Sequence, residues 1–191
     1  MLYKKFSRII RDLICIIGLF LIAPFLFFAA IAIFIEDGMP VFFVQERIGK
    51  NKSIFKIIKM RTLKLEAPSI GTHELHQKYM LKSGKLIRKI KLDEFPQLIN
   101  VLKGEINLVG PRPGLVSQVN LTECRDGKGI YDIKPGITGL SQVLGHDMSD
   151  PKKLAEIDKI YIVKQSSYID FLILASTFSS YPKKYLTKLV S

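Results

Sequence analysis

Tryptophan is absent from this 191-residue sequence, histidine occurs three times and cysteine twice. Cys15 lies in an apolar run and Cys124 in a polar segment, so a disulfide framework is not expected and a reducing, cytosolic setting fits. His73 and His76 stand one helical turn apart, but no third ligand follows at a metal-binding spacing, and a solvated helix face explains them better. His146, after Gly145, reads as a loop histidine. Acidic residues are scarce, 17 against 29 lysines and arginines, for a formal net charge of +12. An anionic partner is therefore expected. No zinc-finger or aromatic-interleaved pattern accompanies the basic residues, which argues against nucleic acid. Internal repeats and low-complexity tracts are also missing.

What the chain does have is apolar bulk, 48% of its residues. Leu13 to Ile35 gives 23 consecutive residues without a charge. As a straight helix this run reaches about 34 Å, enough to cross a hydrocarbon core. Pro24 sits near its middle, where it removes a backbone hydrogen bond and favours a kink. Basic clusters flank both ends, Lys4, Lys5, Arg8 and Arg11 before it and Arg47 to Lys64 after it. A straight span puts one cluster on the wrong side, whereas a helix that bends at Pro24 and returns keeps both facing anionic lipid on the cytosolic surface. Physics alone leaves span and re-entrant helix both open. A cleaved signal peptide, suggested by the Ala30-Ile31-Ala32 triplet, is disfavoured by the length of the run.

Beyond the anchor the pattern predicts an α+β, mainly helical fold. Residues 1–37 form the membrane anchor and 38–191 a cytosolic domain with interfacial amphipathic helices. Short apolar runs on either side of Gly49-Lys50-Asn51 predict a β-hairpin turning there. Helices are expected over 73–90, from near Asp93 to Gly104, over 152–164 and over 168–190, the last with Phe171, Leu172, Leu174 and Phe178 on its apolar side. Residues 134–139, KPGITG, read as a rigid Pro-Gly turn.

Asp93 and Glu94 stand side by side in a strongly basic chain. Asp93 is expected to cap the helix that follows, with Pro96 in its first turn, and capping alone accounts for such a pair. Yet Arg88, Lys89 and Lys91 precede it and Arg112 follows. Two adjacent carboxylates suit Mg²⁺, which binds one or two carboxylates plus substrate phosphates. Convergent cations beside such a metal make a phosphoryl-transfer constellation. Pro111 and Pro113 stiffen the backbone on both sides of Arg112, which favours bidentate phosphate binding.

The blocks VQERIGKNKSIFKIIKMRTL, LIRKIKLDEFPQLINVLKGEINLVGPRP, IKPGITGLSQV and EIDKIYIV occur in an order that resembles the bacterial sugar transferases, in particular the small monotopic polyprenyl-phosphate phosphoglycosyl transferases. The likeness covers most of the chain. It implies a two-step transfer at the cytosolic face of the bacterial inner membrane: Asp93 attacks a UDP-sugar and releases UMP, and undecaprenyl phosphate then takes the phosphosugar. The product opens the synthesis of a surface glycan such as lipopolysaccharide, exopolysaccharide or capsule, or of a glycoprotein glycan, with downstream glycosyltransferases as possible partners. The resemblance further implies that Glu94 assists as metal ligand or base, that Asp93 and Glu94 hold Mg²⁺, that Arg112 holds a phosphate, that Lys59, Arg61, Arg88, Gln142 and Asp158 bind substrate, and that the membrane helix breaks at Pro24.

Two departures stand out. Leu140 takes the place of the family tryptophan in Gly139-Leu140-Ser141-Gln142, and Ala23 that of the serine usual before Pro24. They bear on sugar fit and on the helix break, and leave Asp93, Glu94 and Arg112 untouched. The rival reading, a non-catalytic adaptor with a lipid-binding basic surface, predicts no UMP release.

Overall fold

An uninterrupted apolar run offers a backbone only one way to satisfy its own polar groups, and the chain takes it from the start. The computed structural model describes residues 2–67, 77–179 and 181–190. Its first element, α1 (Leu2–Asp37), is a single helix of 36 residues that runs through Pro24. Within it, Arg8–Asp37 is long and apolar enough to cross a bilayer. Any return of this helix to the side it entered is thus a bend within one helix. Most of its apolar side chains are exposed, but one stripe is not. Cys15, Ala29 and Ile33 are buried, Ile22, Leu26 and Ala30 pack against the core, and a β-carbon at Gly18 would sit 3.5 Å from Leu98 Cδ1. Positions 15, 18, 22, 26, 29 and 33 follow steps of three and four, one face of a helix.

Contacts divide the chain into two units, residues 1–45 with 56–103 and residues 46–55 with 104–191. The expected hairpin is present, with strands β1 (Phe42–Ile48) and β2 (Ile54–Met60) joined by a 3-10 turn at Lys50–Lys52. Asn51 and Lys52 take left-handed φ values of 52° and 57° there.

In the first unit, helices α2 (Lys82–Lys89) and α3 (Gln97–Leu102) pack on α1. Ala29, Ile33, Val41, Met60, Leu81, Ile87 and Leu92 form the core. The end of α1 is tied down by its own two acids. Glu36 accepts from the backbone N–H groups of Lys82 (2.6 Å) and Ser83 (2.9 Å), so it supplies the N-terminal cap that α2 lacks locally. Asp37 pairs with Arg61, whose Nε also donates to the Pro40 carbonyl at 2.6 Å and Nη2 to that of Gly38 at 2.6 Å.

The helix expected over 73–90 is shorter, α2 alone, preceded by a 3-10 turn at Gln77–Tyr79; His73 and His76 lie outside the described residues. Asp93 does not cap a helix. It sits in a separate 3-10 turn, Leu92–Glu94, entered through left-handed Lys91 (φ 58°), and α3 begins only after Pro96, with no side-chain cap. Pro96 brings a fixed φ and no N–H, so a capping acceptor has less to bind.

The second unit pairs two three-residue strands, β3 (Asn107–Val109) and β4 (Gly136–Thr138), in parallel, Asn107 opposite Gly136 and Val109 opposite Thr138. The segment read as a rigid turn is therefore partly strand. Its backbones approach so closely that a β-carbon on Gly136 would lie 2.1 Å from the Gly110 nitrogen, and one on Gly139 2.3 Å from the Gly110 oxygen. Only glycine fits at either place. Between the strands runs α4 (Val119–Arg125), and after them come α5 (Leu140–Leu144) and α6 (Pro151–Lys164). The helix expected over 168–190 is broken into α7 (Ser167–Phe178) and α8 (Lys183–Thr187), because Ser179 is extended and Pro182 cannot continue the first helix. Its expected apolar side is met in part, Leu174 packing against the core. Leu172 and Ile173 face the core, while Phe171 and Phe178 are 64% and 77% exposed.

Candidate active site

In the first unit, Asn100 holds α3 against β2 by two hydrogen bonds: its amide donates to the Lys56 carbonyl (2.8 Å) and its Oδ1 accepts from the Ile58 N–H (3.1 Å). This buried side chain fixes the strand residue Lys59 relative to the turn before α3. Lys59 Nζ reaches Glu94 Oε1 at 3.1 Å, both groups being partly buried. Arg88, on α2, donates from Nε to Thr62 Oγ1 at 2.8 Å. The close passage of α2 over Thr62 requires Gly84, whose β-carbon would lie 2.3 Å from the Thr62 oxygen.

Asp93 is half-buried beside these groups. Burial raises its carboxyl above the ordinary carboxylate range and the Glu94 charge adds to the rise, while Lys59 and Arg88 pull it back. The result is an acid whose charged form is under stress but accompanied by two cations. An ionised oxygen of this kind is a competent nucleophile toward phosphorus. Among the described residues no group of three or more His, Cys, Asp or Glu converges on a metal. The available donors are two carboxylates, which is the set Mg²⁺ accepts when phosphates and water complete its shell.

Arg112 belongs to the second unit, in the loop Pro111-Arg112-Pro113-Gly114. All four loop carbonyls are occupied: Pro111 by Gly136 N–H (3.0 Å), Arg112 by Arg125 Nη1 (2.9 Å), Pro113 by Arg47 Nη1 (3.1 Å) and Gly114 by Ile48 N–H (3.0 Å). Arg47 is pushed down to about 10, by burial first and by the Arg112 charge second. It remains charged at neutral pH, so a second guanidinium, from β1, neighbours that of Arg112 on the loop.

The structure thus gathers Asp93, Glu94, Lys59 and Arg88 in one unit and sets Arg112 in a braced loop of the other. Two expected substrate-binding residues lie in the interior. Arg61 is committed to Asp37 and to main-chain carbonyls at the end of α1. Asp158, on α6, is 1% exposed, its Oδ2 2.6 Å from Arg125 Nη2 and its Oδ1 accepting from Ser141 Oγ at 3.1 Å. Gln142 donates to the Ile137 carbonyl at 3.3 Å. Asn100 and Arg125 escaped the reading of the sequence, and Arg47 was read only as part of a lipid-facing basic cluster, not as a donor to the Pro113 carbonyl. Arg125 lies in the polar stretch Glu123-Cys124-Arg125-Asp126, which looks like a solvated helix end.

Residues 2–184 match the family described as bacterial sugar transferase. The chain is 39% identical to the uncharacterized sugar transferase EpsL of Bacillus subtilis, over 75% of this chain and 70% of that protein. It is 33% identical to the UDP-N-acetylgalactosamine-undecaprenyl-phosphate N-acetylgalactosaminephosphotransferase of Aeromonas hydrophila, over 92% of this chain but 43% of the relative. It is also 33% identical to the UDP-glucose:undecaprenyl-phosphate glucose-1-phosphate transferase of Caulobacter vibrioides, over 84% of this chain and 63% of the relative. The chain spans well under two thirds of the Aeromonas relative's length.

Proposed function

The chain belongs to the bacterial sugar transferase family, and from that premise we propose that it moves a phosphosugar from a UDP-sugar to undecaprenyl phosphate at the cytosolic face of the membrane. The observation that carries this reading is the half-buried Asp93 beside Glu94, with Lys59 and Arg88 as its cationic neighbours. In the first step an Asp93 oxygen attacks the β-phosphorus, the bond from that phosphorus to the bridging oxygen breaks, and UMP leaves with the electron pair. In the second, an oxygen of undecaprenyl phosphate attacks the same phosphorus and Asp93 departs as carboxylate. Undecaprenyl diphosphate sugar is the product, the opening intermediate of a surface glycan. Lys59 and Arg88 offset negative charge around the reacting phosphorus, and Arg112 takes a substrate phosphate. Asp93 and Glu94 would hold Mg²⁺, which when bound supplies further charge neutralisation.

For the anchor the proposal is a helix that enters one leaflet, bends at Pro24 and returns. Its support is the position of Pro24 inside the 36-residue α1 and the basic residues at both ends. Phe171 and Phe178 on α7, Tyr181 in the turn before α8 and Tyr185 on α8 are exposed, with Lys184 Nζ 4.2 Å from the Tyr181 ring centroid. At 12 residues α7 is too short to span, and exposed aromatics mixed with lysine suit the headgroup boundary of an anionic leaflet.

The test is release of UMP from a panel of UDP-sugars with Mg²⁺ and undecaprenyl phosphate, together with mass spectrometry of the protein stopped before the acceptor is added. A phosphosugar adduct on the peptide containing Asp93 is expected. No UMP release from any sugar in the panel would overturn the reading.

A further inference from the structure

A loop containing two prolines has few N–H groups with which to fasten itself, so its position depends on donors brought to its carbonyls. For the carbonyl of Arg112 that donor is the Arg125 guanidinium, at 2.9 Å. Arg125 is 2% exposed at the end of α4, and its other terminal nitrogen lies 2.6 Å from Asp158 on α6. The second Asp158 oxygen accepts from Ser141 on α5 at 3.1 Å. Three helices thus converge, through one guanidinium, on the main chain of a single loop residue. Pro111, Pro113 and Gly114 are buried around it while the Arg112 side chain is half-buried.

We propose that Arg125, held by Asp158, is a positioning residue that fixes the main chain of Arg112 and so orients the Arg112 guanidinium toward the substrate diphosphate. This rests on the phosphate-binding role proposed above for Arg112. The alternative, an ion pair that serves stability alone, fits the geometry less well. Arg125 Nε is buried with no hydrogen-bond partner among the described residues, so an apolar pair of similar volume satisfies this interior at least as well. An apolar pair offers no donor to the Arg112 carbonyl.

The experiment compares Arg125→Met/Asp158→Leu and Arg125→Lys with the full-length wild type in detergent micelles. Four quantities are read: thermal unfolding, hydrogen exchange at Gly136, whose N–H bonds the Pro111 carbonyl, affinity for UDP, and UMP release. The apolar double variant is expected to unfold at or above the wild-type temperature, to exchange faster at Gly136, and to lose about a hundredfold in UMP release, the scale of a misplaced binding group. Should the double variant fail to fold, Arg125→Lys decides, because its single ammonium keeps the pair with Asp158 but cannot also span to the Arg112 carbonyl. The sharpest readout is coupling. In an Arg112→Ala background Arg125→Lys is expected to cost almost nothing more, whereas a residue acting through stability adds its loss in full. Additive losses, or wild-type exchange at Gly136, overturn the proposal. If the wild type releases no UMP at all, the transferase reading fails instead, and Gly136 exchange with UDP affinity still decides whether Arg125 braces the loop.

Discussion

Lys59 and Glu94, 35 residues apart in sequence, meet at 3.1 Å between Nζ and Oε1, on the flank of Asp93. The contact brings a cation from β2 to a carboxylate in the 3-10 turn before α3. It also leaves Asp93 with one neighbour that raises its pKa and two that lower it.

Replacing Asp93 by Asn is expected to abolish UMP release, since an amide of nearly the same shape is no nucleophile. The same variant is expected to be more stable than wild type at neutral pH. The native carboxyl has a raised pKa, so in the window above the ordinary carboxylate value the native state binds more protons than the unfolded chain. Stability therefore falls as pH rises through that window, and the Asp93→Asn change removes the cost. Thermal melts at pH 7 check this, and an Asp93→Asn variant less stable than wild type would contradict the environment described.

The pH profile of UMP release carries a second expectation. The acid limb reports ionisation of Asp93, and it lies above the ordinary carboxylate range because burial and Glu94 raise the pKa. Lys59→Met removes a lowering charge, so the limb moves to higher pH as well as the maximum falling. A limb that stays in place would separate Lys59 from Asp93.

Gly136→Ala tests the parallel strand pair. Its β-carbon would meet the Gly110 nitrogen at 2.1 Å and the Val109 carbonyl carbon at 2.6 Å, all main chain. Destabilisation of about 3 kcal/mol is expected, the upper end of overpacking costs. Gly127→Ala, at φ 68° but with nothing within 4 Å, is expected to cost less, and denaturant titration compares the two.

Topology is read by single cysteines near Lys4 and Lys50 in a background with Cys15 and Cys124 replaced. Both sites are expected to react from the cytosolic side and neither with an impermeant reagent outside. Pro24→Ala restores a helix hydrogen bond and removes a clash worth about 3 kcal/mol, so labelling near Lys4 is expected to shift outward. Wild-type labelling in that variant would mean that packing of α1 on α2 and α3, rather than Pro24, sets the course of the helix.

The sequence was most legible where residue types carry their own geometry. Gly49 and Asn51 mark the hairpin turn, Gly104 (φ 77°) ends the segment after α3, and the acid pair announces itself against a basic background. It was least legible where every choice looks alike. In α1 almost every position is apolar, so periodicity cannot single out the buried face, and only the small residues Cys15, Gly18, Ala29 and Ala30 mark it. Strands of three residues have no period to detect, which hid β3 and β4. Pro182 stands where α7 and α8 part, a signal that the reading of 168–190 as one helix passed over. Arg125 gave no signal, because a buried guanidinium and a solvated one are spelled the same way.

The buried stripe of α1 has a practical consequence. Ala29 and Ile33 lie against Met60, Leu81, Ile87 and Leu92, so the helix whose apolar side chains are exposed on most of its circumference is also one wall of the unit holding Asp93. Trimming α1 away to obtain a water-soluble enzyme would strip that wall and leave Arg61 without Asp37 and the α2 N-terminus without Glu36. Purification must therefore keep the helix and cover its outer faces with an amphiphile, and inhibitors are best sought against the micelle- or nanodisc-bound protein.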